Sequence, residues 1–431
     1  MALTGRAALV ALLGVLVVLI VPTGGWTLAA IEGLLLIGVL ADLVLAAGVR
    51  ALRFERGGDT LVRLGEQAAV ELTVANPGRR RLRADIRDAW PPSAGARPRR
   101  MRLTVPAGQR RRVDTTLTPT RRGDRRASVV TVRSHGPLGL AARQGRHQVP
   151  WTVRVLPPFA SRRHLPSKLA RLRELDGQQV ALIRGRGTEF DSLREYVAGD
   201  DVRSIDWRAS ARRNSMVVRT WRPERDRRVV LVLDTGRTSA GRVGDTPRLD
   251  SAMEAALLLA AVASRAGDRV DMLAFDRVTR ASAYGLTRTN ALPTLVQAMA
   301  NLEPELVETD AAAMVSAVLQ RVRRRCLVVV LTDLDAAAIE HGLLPRLSAL
   351  TSRHLVLVGS VTDPRVAEMA AGRGRAEAVY EAAAAERALA DRRRVTAELR
   401  KRGVEVVDAG PEDLPPALTD AYLSLKATGR L

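Results

Sequence analysis

Two apolar runs at the start of the chain constrain it most. Residues 7 to 21 (AALVALLGVLVVLIV) carry no charge, and residues 27 to 49 form a second run interrupted only by Glu32 and Asp42, with a turn-forming PTGG at 22 to 25 between them. Lipid offers the backbone no hydrogen-bond partner, so any run that crosses it must be helical. At about 1.5 Å per residue the second run suffices for a hydrocarbon core of roughly 30 Å, whereas the first is short unless Arg6 snorkels and its flanks contribute. A charged start followed by a short apolar core also matches a cleaved signal peptide. The second run so close behind favours instead a two-helix membrane anchor in residues 1–55, with spans at about 7–22 and 27–49. Arg6 precedes the first span, Arg50, Arg53 and Arg56 follow the second, and the turn holds no Lys or Arg. The positive-inside rule then puts both ends and the soluble remainder in the cytoplasm, at the cell membrane. Glu32 and Asp42 are expected to be tolerated near the outer parts of the span or against a helix partner rather than to be functional.

With 431 residues the chain has room for two or three domains besides an anchor. Between about 56 and 157 the pattern has period two. QAAVELTVAN at 67 to 76 puts Val70, Leu72 and Val74 on one face, and further strands are expected at 80–89, 100–105, 110–118, 126–133 and 147–156, separated by NPG, PPSAG, PAG and RRGD. About seven short strands in about a hundred residues predict an all-β immunoglobulin-like sandwich. His135 and His147 stand alone and are expected to be surface histidines, not metal ligands.

From 226 to 431 strand and helix patterns alternate. The strands RRVVLVLD, RVDMLAF, 278–283, CLVVVLTD, HLVLVGSV and VEVVDA are separated or followed by helical stretches at 248–266, 290–301, 310–323, 338–351, 383–402 and 412–427. Such alternation predicts a Rossmann-like α/β domain with a mostly parallel sheet covered on both faces, whose ligands sit beyond the carboxyl ends of the strands. Cys326, the single cysteine, opens an apolar strand and is expected to be buried, and it excludes an intrachain disulfide.

The net charge of +22 would suggest a polyanion partner, yet of 68 basic residues only Lys168, Lys401 and Lys426 are lysines, a skew typical of GC-rich coding. The arginines are dispersed and aromatics make up only 3%, so stacking platforms for bases are scarce and no specific nucleic acid is expected. The charge still draws a tethered basic region toward anionic headgroups at short range.

Residues 158 to 225 form a Pro-, Arg- and Gly-rich linker with a short helix near 166–175, followed by a dense charged motif. RGRG at 184–187 is too short to cradle a phosphate. In GTEFDSLREYVAGDDVRSIDWRASAR at 187–212, Glu189, Asp191, Glu195, Asp200, Asp201 and Asp206 alternate with Arg194, Arg203, Arg208 and Arg212. Each carboxylate has an arginine within a few residues, which favours ionised, mutually neutralised pairs over acid/base work. Tyr196 and Trp207 offer faces for arginine stacking or burial. The segment is expected to be a charge-networked structural clasp, with an interaction surface or an active site as the alternatives. This stretch, together with RRG at 121–123 and GPLGL at 136–140, resembles the bacterial family known as domain of unknown function 58, over essentially the whole chain. The resemblance brings no settled activity. It implies a von Willebrand factor type A-like domain at the C-terminus and association with MoxR-type AAA+ ATPases and transglutaminase-like membrane proteins.

At the end of the strand RRVVLVLD, the run Asp234-Thr235-Gly236-Arg237-Thr238-Ser239 falls where type A domains carry the metal-ion-dependent adhesion motif Asp-x-Ser-x-Ser. Mg²⁺ or Mn²⁺ there would need a carboxylate and hydroxyls, because such ions are hard and take oxygen ligands. Asp234 and Thr238 match the first and third positions, Gly236 lacks the second hydroxyl, and Thr309 in VETD and Asp333 in LTDLD are candidates for the remaining ligands. The alternative is a capping turn without an ion. Five scattered histidines, no reactive cysteine context, no Gly-rich phosphate loop and no Ser/His/Asp order give little support to an enzyme. The expectation is a membrane-tethered scaffold or adaptor that binds a partner protein.

Overall fold

The computed structural model describes residues 2–20, 24–182, 189–198, 200–213, 215–222 and 227–431. RGRG at 184–187, residues 21–23 of the first apolar run and its turn, and the side chain of Glu189 lie outside the described part. Contacts divide the chain into two units, Met1–Pro158 and Phe159–Leu431.

The first unit opens with helices α1 (Gly5–Ile20) and α2 (Gly24–Leu45). Among the described residues one helix, Gly25–Leu45 with a mean hydropathy of 2.3, is long and apolar enough to cross a membrane, and α1 falls short at 16 residues. The two pack closely at Gly14, where a Cβ would lie 2.6 Å from Ile31 Cγ2. The second helix stops four residues before its apolar run does. Ala46, Ala47 and Val49 are buried, and the last two join the core of the following β-sheets, so apolarity there serves a protein interior instead of lipid.

Strands β1 (Arg53–Gly58), β2 (Ala68–Ala75), β3 (Leu82–Asp88), β4 (Arg100–Val105), β5 (Arg110–Leu117), β6 (Gly123–His135) and β7 (Ala141–Leu156) make two sheets whose main strands are antiparallel. One has the order β1-β2-β5; the other has β7-β6-β3-β4, with the short segments Ala2–Leu3, antiparallel, and Leu61–Arg63, parallel, both paired with β7. Alternation fills the space between them. Leu72 and Val74 meet Ile86, Val130 and Val132 in one cluster, as the period-two pattern requires. Within this unit Arg56 and Asp88 form a buried ion pair at 2.5 Å, with Trp90 donating to the same carboxylate.

The second unit begins with α3 (Leu165–Leu182) and a hairpin of β8 (Glu189–Glu195) and β9 (Val217–Arg222), with α4 (Trp207–Arg213) between the two strands. The main sheet follows. Its strands are β10 (Arg228–Asp234), β11 (Arg269–Phe275), β12 (Thr279–Leu286), β13 (Leu327–Leu331), β14 (Leu355–Val361) and β15 (Glu405–Ala409), in the order β12-β11-β10-β13-β14-β15. All neighbours are parallel except the edge strand β12. Crossovers place the helix Arg248–Arg265 so that nearly its whole circumference is buried, which its run AALLLAAVAS predicts. The mixed α/β architecture is the expected one. Sequence periodicity missed the helix Pro364–Ala370 and the first turns of Ala376–Lys401, because AEAVYEAAAAER is rich in alanine and lacks a clear apolar stripe.

Candidate functional site

The chain leaves β10 toward β11 on one side and returns to β13 on the other, so the crevice beyond the carboxyl ends of β10 and β13 is the switch point of the sheet. A cleft of about 360 Å³ lies there, its apolar floor made by Met314, Val330, Ile339 and Leu343 and its polar wall by Asp234, Thr238, Thr309 and Thr332. A π-helical turn, Ala338–Leu343, forms one side.

Asp234, 4% exposed, is the hub. Its Oδ1 accepts from Thr309 Oγ1 at 2.5 Å and from the Gly236 amide at 2.8 Å; its Oδ2 accepts from Thr332 Oγ1 at 2.6 Å and Thr238 Oγ1 at 3.3 Å. A carboxylate has about four lone-pair positions, and here four donors occupy them. One strand end thus ties together its own turn, the loop that carries Thr309, and the end of β13. Of the residues singled out from sequence, Asp234, Thr238 and Thr309 come together, and Thr332 joins them.

Asp333 does not. Its carboxylate is held by Arg248 at 3.1 Å and Arg392 at 2.7 Å, and Ser360 donates to it. Burial pulls the Arg392 pKa down, but Asp408 and Asp333 outweigh that and hold the guanidinium charged. The neighbouring residue Thr332 faces Asp234 instead, since consecutive residues at a strand end point to opposite sides. Gly236 also proves to be more than a missing hydroxyl. A Cβ there would lie 2.1 Å from Thr309 Oγ1 and 2.9 Å from the Val307 carbonyl, so Thr309 occupies the space that a second serine would need.

A divalent cation does not fit this donor set. Of the two carboxylates lining the cleft, Asp234 is saturated and Glu308 is paired with Arg237 at 2.6 Å; Asp333 is neutralised by two guanidinium groups, and the second hydroxyl position is closed. Among the described residues no group of three or more His, Cys, Asp or Glu side chains is placed to hold an ion. Sequence reasoning passed over Asp276, fully buried at the end of β11, where it accepts from Thr235, Arg280 and the Arg277 and Val278 amides. Burial raises its pKa, but these donors together outweigh burial and hold Asp276 below the ordinary carboxylate range. The only signal for it was an acid directly after an apolar strand.

The charged motif forms the small β8–β9 hairpin. Arg194 pairs with Asp200 at 2.6 Å, the Asp201 side chain accepts from the Arg203 amide at 2.9 Å, and Asp206 caps α4 through the Arg208 and Ala209 amides while pairing with Arg219 at 2.8 Å. The Ala209 amide first, then Arg219, holds Asp206 below its usual pKa. Tyr196 is half-buried and Arg212 exposed. Trp207 is neither buried nor stacked: it is 68% exposed, and among the described residues no guanidinium lies over it. Val197, Val202 and Met216 on the same hairpin are also exposed. Elsewhere, Cys326 is buried as expected, and burial pushes its thiol pKa up to about 12.

Comparison with known proteins places these features in context. The uncharacterized proteins Rv1480 of Mycobacterium tuberculosis and Mb1516 of Mycobacterium bovis are each 28% identical over 197 residues, covering 45% of this chain; the chain spans 61% of the length of these curated relatives. Among solved structures, the CARDB domain of the PF1109 protein from Pyrococcus furiosus matches 24% of this chain and 91% of that domain, at 19% identity and a TM-score of 0.20. SSP-19, an MSP-domain protein like family member in Caenorhabditis elegans, matches 22% of this chain and 94% of its own, at 13% identity and a TM-score of 0.18. Scores this low carry no weight for fold or function. The family model described as "Protein of unknown function DUF58" matches residues 192–405, from the charged hairpin to the last strand of the sheet, and with the mycobacterial relatives it supports DUF58 as the family of this chain.

Proposed function

We propose that this chain is a membrane-tethered scaffold or adaptor: a two-span anchor with its soluble units in the cytoplasm, an immunoglobulin-like sandwich, and a von Willebrand factor type A-like domain that engages a partner protein. The observation that carries it is the β8–β9 hairpin. Its Asp200, Asp201 and Asp206 are committed to Arg194, Arg219 and local amides, while Trp207, Val197, Val202 and Met216 stay exposed. A rigid frame that displays tryptophan suits protein contact, because large aromatics supply much of the binding energy at interfaces. The switch-point cleft, apolar at its floor, adds a place for one side chain of the partner. A MoxR-type AAA+ ATPase is the partner class that the family resemblance supports, and transglutaminase-like membrane proteins are the second.

The test is crosslinking from native membranes with the full chain carrying a photoreactive residue at position 207, beside Trp207→Ala and Ala338→Trp variants crosslinked from position 212. The expected result is one dominant adduct, an AAA+ ATPase, weakened in both variants. Adducts unchanged by both variants, or none at all, refute the adaptor role.

A further inference from the structure

We propose that the loop Gly136–Leu140 is a membrane-embedded tongue, inserted beside the second apolar helix and held there by Asp42. This rests on α2 being a bilayer span. Leu138 and Leu140 both reach Gly38, where an added Cβ would lie 3.9 Å and 2.9 Å from their Cδ1 atoms. Gly38 stands seven residues before the helix end at Leu45, which places the ends of these two leucine side chains about 10 Å up the helix, above the Asp42 carboxylate that holds the loop's amides. If the helix spans the bilayer, its last carbonyls mark the polar boundary. There Arg143 donates to the Leu43 carbonyl at 2.6 Å and Arg80 donates to the Val44 carbonyl, while Arg50 and Arg53 follow close behind. A loop that starts at this arginine-rich level and climbs to Gly38 has its tip among acyl chains.

Irregular backbone survives at that depth only when its polar groups are satisfied within the protein. Two residues, Asp42 and Thr4, supply most of the bonds this loop's backbone makes. Asp42, wholly buried, accepts from the amides of Leu138 at 2.7 Å, Leu140 at 2.5 Å and Ala141 at 3.0 Å. Thr4 covers the carbonyls: its hydroxyl donates to Gly139 at 2.6 Å and its amide to Leu140 at 3.0 Å. Pro137 has no amide to satisfy. The glycines are needed for the same reason, since a Cβ at Gly136 would lie 2.3 Å from Asp42 Oδ1, and Gly139 has φ +72. What the loop leaves outward is apolar: Pro137 is exposed, Leu138 is 53% exposed, and Leu3, paired opposite Ala141, is 71% exposed. A water-facing loop has no need of a buried carboxylate to collect its amides, nor does it gain by displaying leucine.

Nitroxide accessibility in the full chain, reconstituted into vesicles of phosphatidylcholine and phosphatidylglycerol, tests this. Single labels go on Leu138→Cys, on Leu34→Cys at a 73% exposed position of α2, and on Arg126→Cys, whose side chain is 76% exposed on the sandwich; buried Cys326 stays in place, and unlabelled wild type is the control for it. The expected result is an oxygen-to-nickel-chelate accessibility ratio at 138 several-fold above that at 126 and close to that at 34. A ratio at 138 equal to that at 126, with 34 in lipid, overturns the embedded loop and leaves the span intact. Aqueous ratios at both 138 and 34 overturn the span and the loop together.

Discussion

Replacing Gly236 by serine would complete the hydroxyl pattern after Asp234, and the structure says that it destabilises the domain. The backbone at 236, with φ −79 and ψ −170, is open to any residue, so the cost is steric. The new Cβ would sit 2.1 Å from Thr309 Oγ1 and 2.9 Å from the carbonyl of Val307, which already accepts from the Arg237 amide at 2.8 Å and cannot yield cheaply. Thr309 must move, and it loses its 2.5 Å hydrogen bond to Asp234. A bond to a charged acceptor contributes about 1.5–3 kcal/mol, and overpacking a tight site costs about 1–3 kcal/mol, so Gly236→Ser should cost about 2.5–6 kcal/mol. Thr309→Ala alone loses only the bond, about 1.5–3 kcal/mol. In the double variant the Thr309 part of the obstruction is gone, while the Val307 carbonyl still crowds the new Cβ, and the bond that both singles lose is lost only once. Its cost should therefore fall short of the sum of the singles by at least that bond, about 1.5–3 kcal/mol. Hydrogen exchange of the Arg228–Asp234 strand in the detergent-solubilised full chain measures each value. A single variant within about 0.5 kcal/mol of wild type, or strict additivity, refutes Thr309 as the occupant of that space.

Three further outcomes follow from the same geometry. Mg²⁺ or Mn²⁺ should leave the melting temperature of the wild type no higher, relative to metal-free buffer, than it leaves that of Asp234→Ala; a selective rise in the wild type would show that the saturated carboxylate reopens for an ion. Asp276, with its pKa held below the ordinary range, contributes stability that is present above about pH 4 and is lost as pH falls through its depressed value, so Asp276→Asn should flatten the acid limb of thermal stability while lowering the plateau at neutral pH. Lys426 lies 3.0 Å from buried Asp268, to which Tyr422 also donates at 2.6 Å, and burial already raises the pKa of that carboxyl. Lys426→Met should cost about 3–5 kcal/mol by stranding the acid, and adding Asp268→Asn should recover part of the loss in denaturant titration.

Much of this architecture was legible because hydrophobic spacing reports burial directly. Val70, Leu72 and Val74 announced a half-buried strand, and the unbroken RVVLVL and LVVVL announced strands covered on both faces. Asp234, Thr238 and Thr309 could be picked because the adhesion motif of type A domains places a carboxylate and hydroxyls at this strand end and in the loops beside it. What spacing does not encode is the direction in which a polar side chain turns. Thr332 and Asp333 are adjacent and equally suited to the cleft by type; alternation turns them to opposite sides, and Arg248 and Arg392, distant in sequence, hold the aspartate away from Asp234. The same limit applied to Trp207, where composition suggests burial or stacking, yet it is exposed while Arg194 and Arg219 pair with Asp200 and Asp206.

The two aspartates that interrupt apolar segments at the ends of regular structure, Asp42 and Asp234, solve one problem in the same way. Each lies buried where a helix or strand runs out, and each gathers donors from a loop remote in sequence: amides at 138, 140 and 141 in the first case, hydroxyls at 309 and 332 in the second. Isolated burial of a carboxylate is costly, and accepting several hydrogen bonds from fixed donors offsets that cost while leaving little freedom for either partner. In both places a glycine leaves no room for a side chain: a Cβ at Gly136 would meet the Asp42 carboxylate, and one at Gly236 would meet Thr309, a donor to Asp234. Saturation of this kind favours joints over catalytic bases, because a base needs an open lone pair. Each unit thus carries one such joint, Asp42 beside the apolar helices in the first and Asp234 beneath the cleft in the second, and each fixes the loops it gathers.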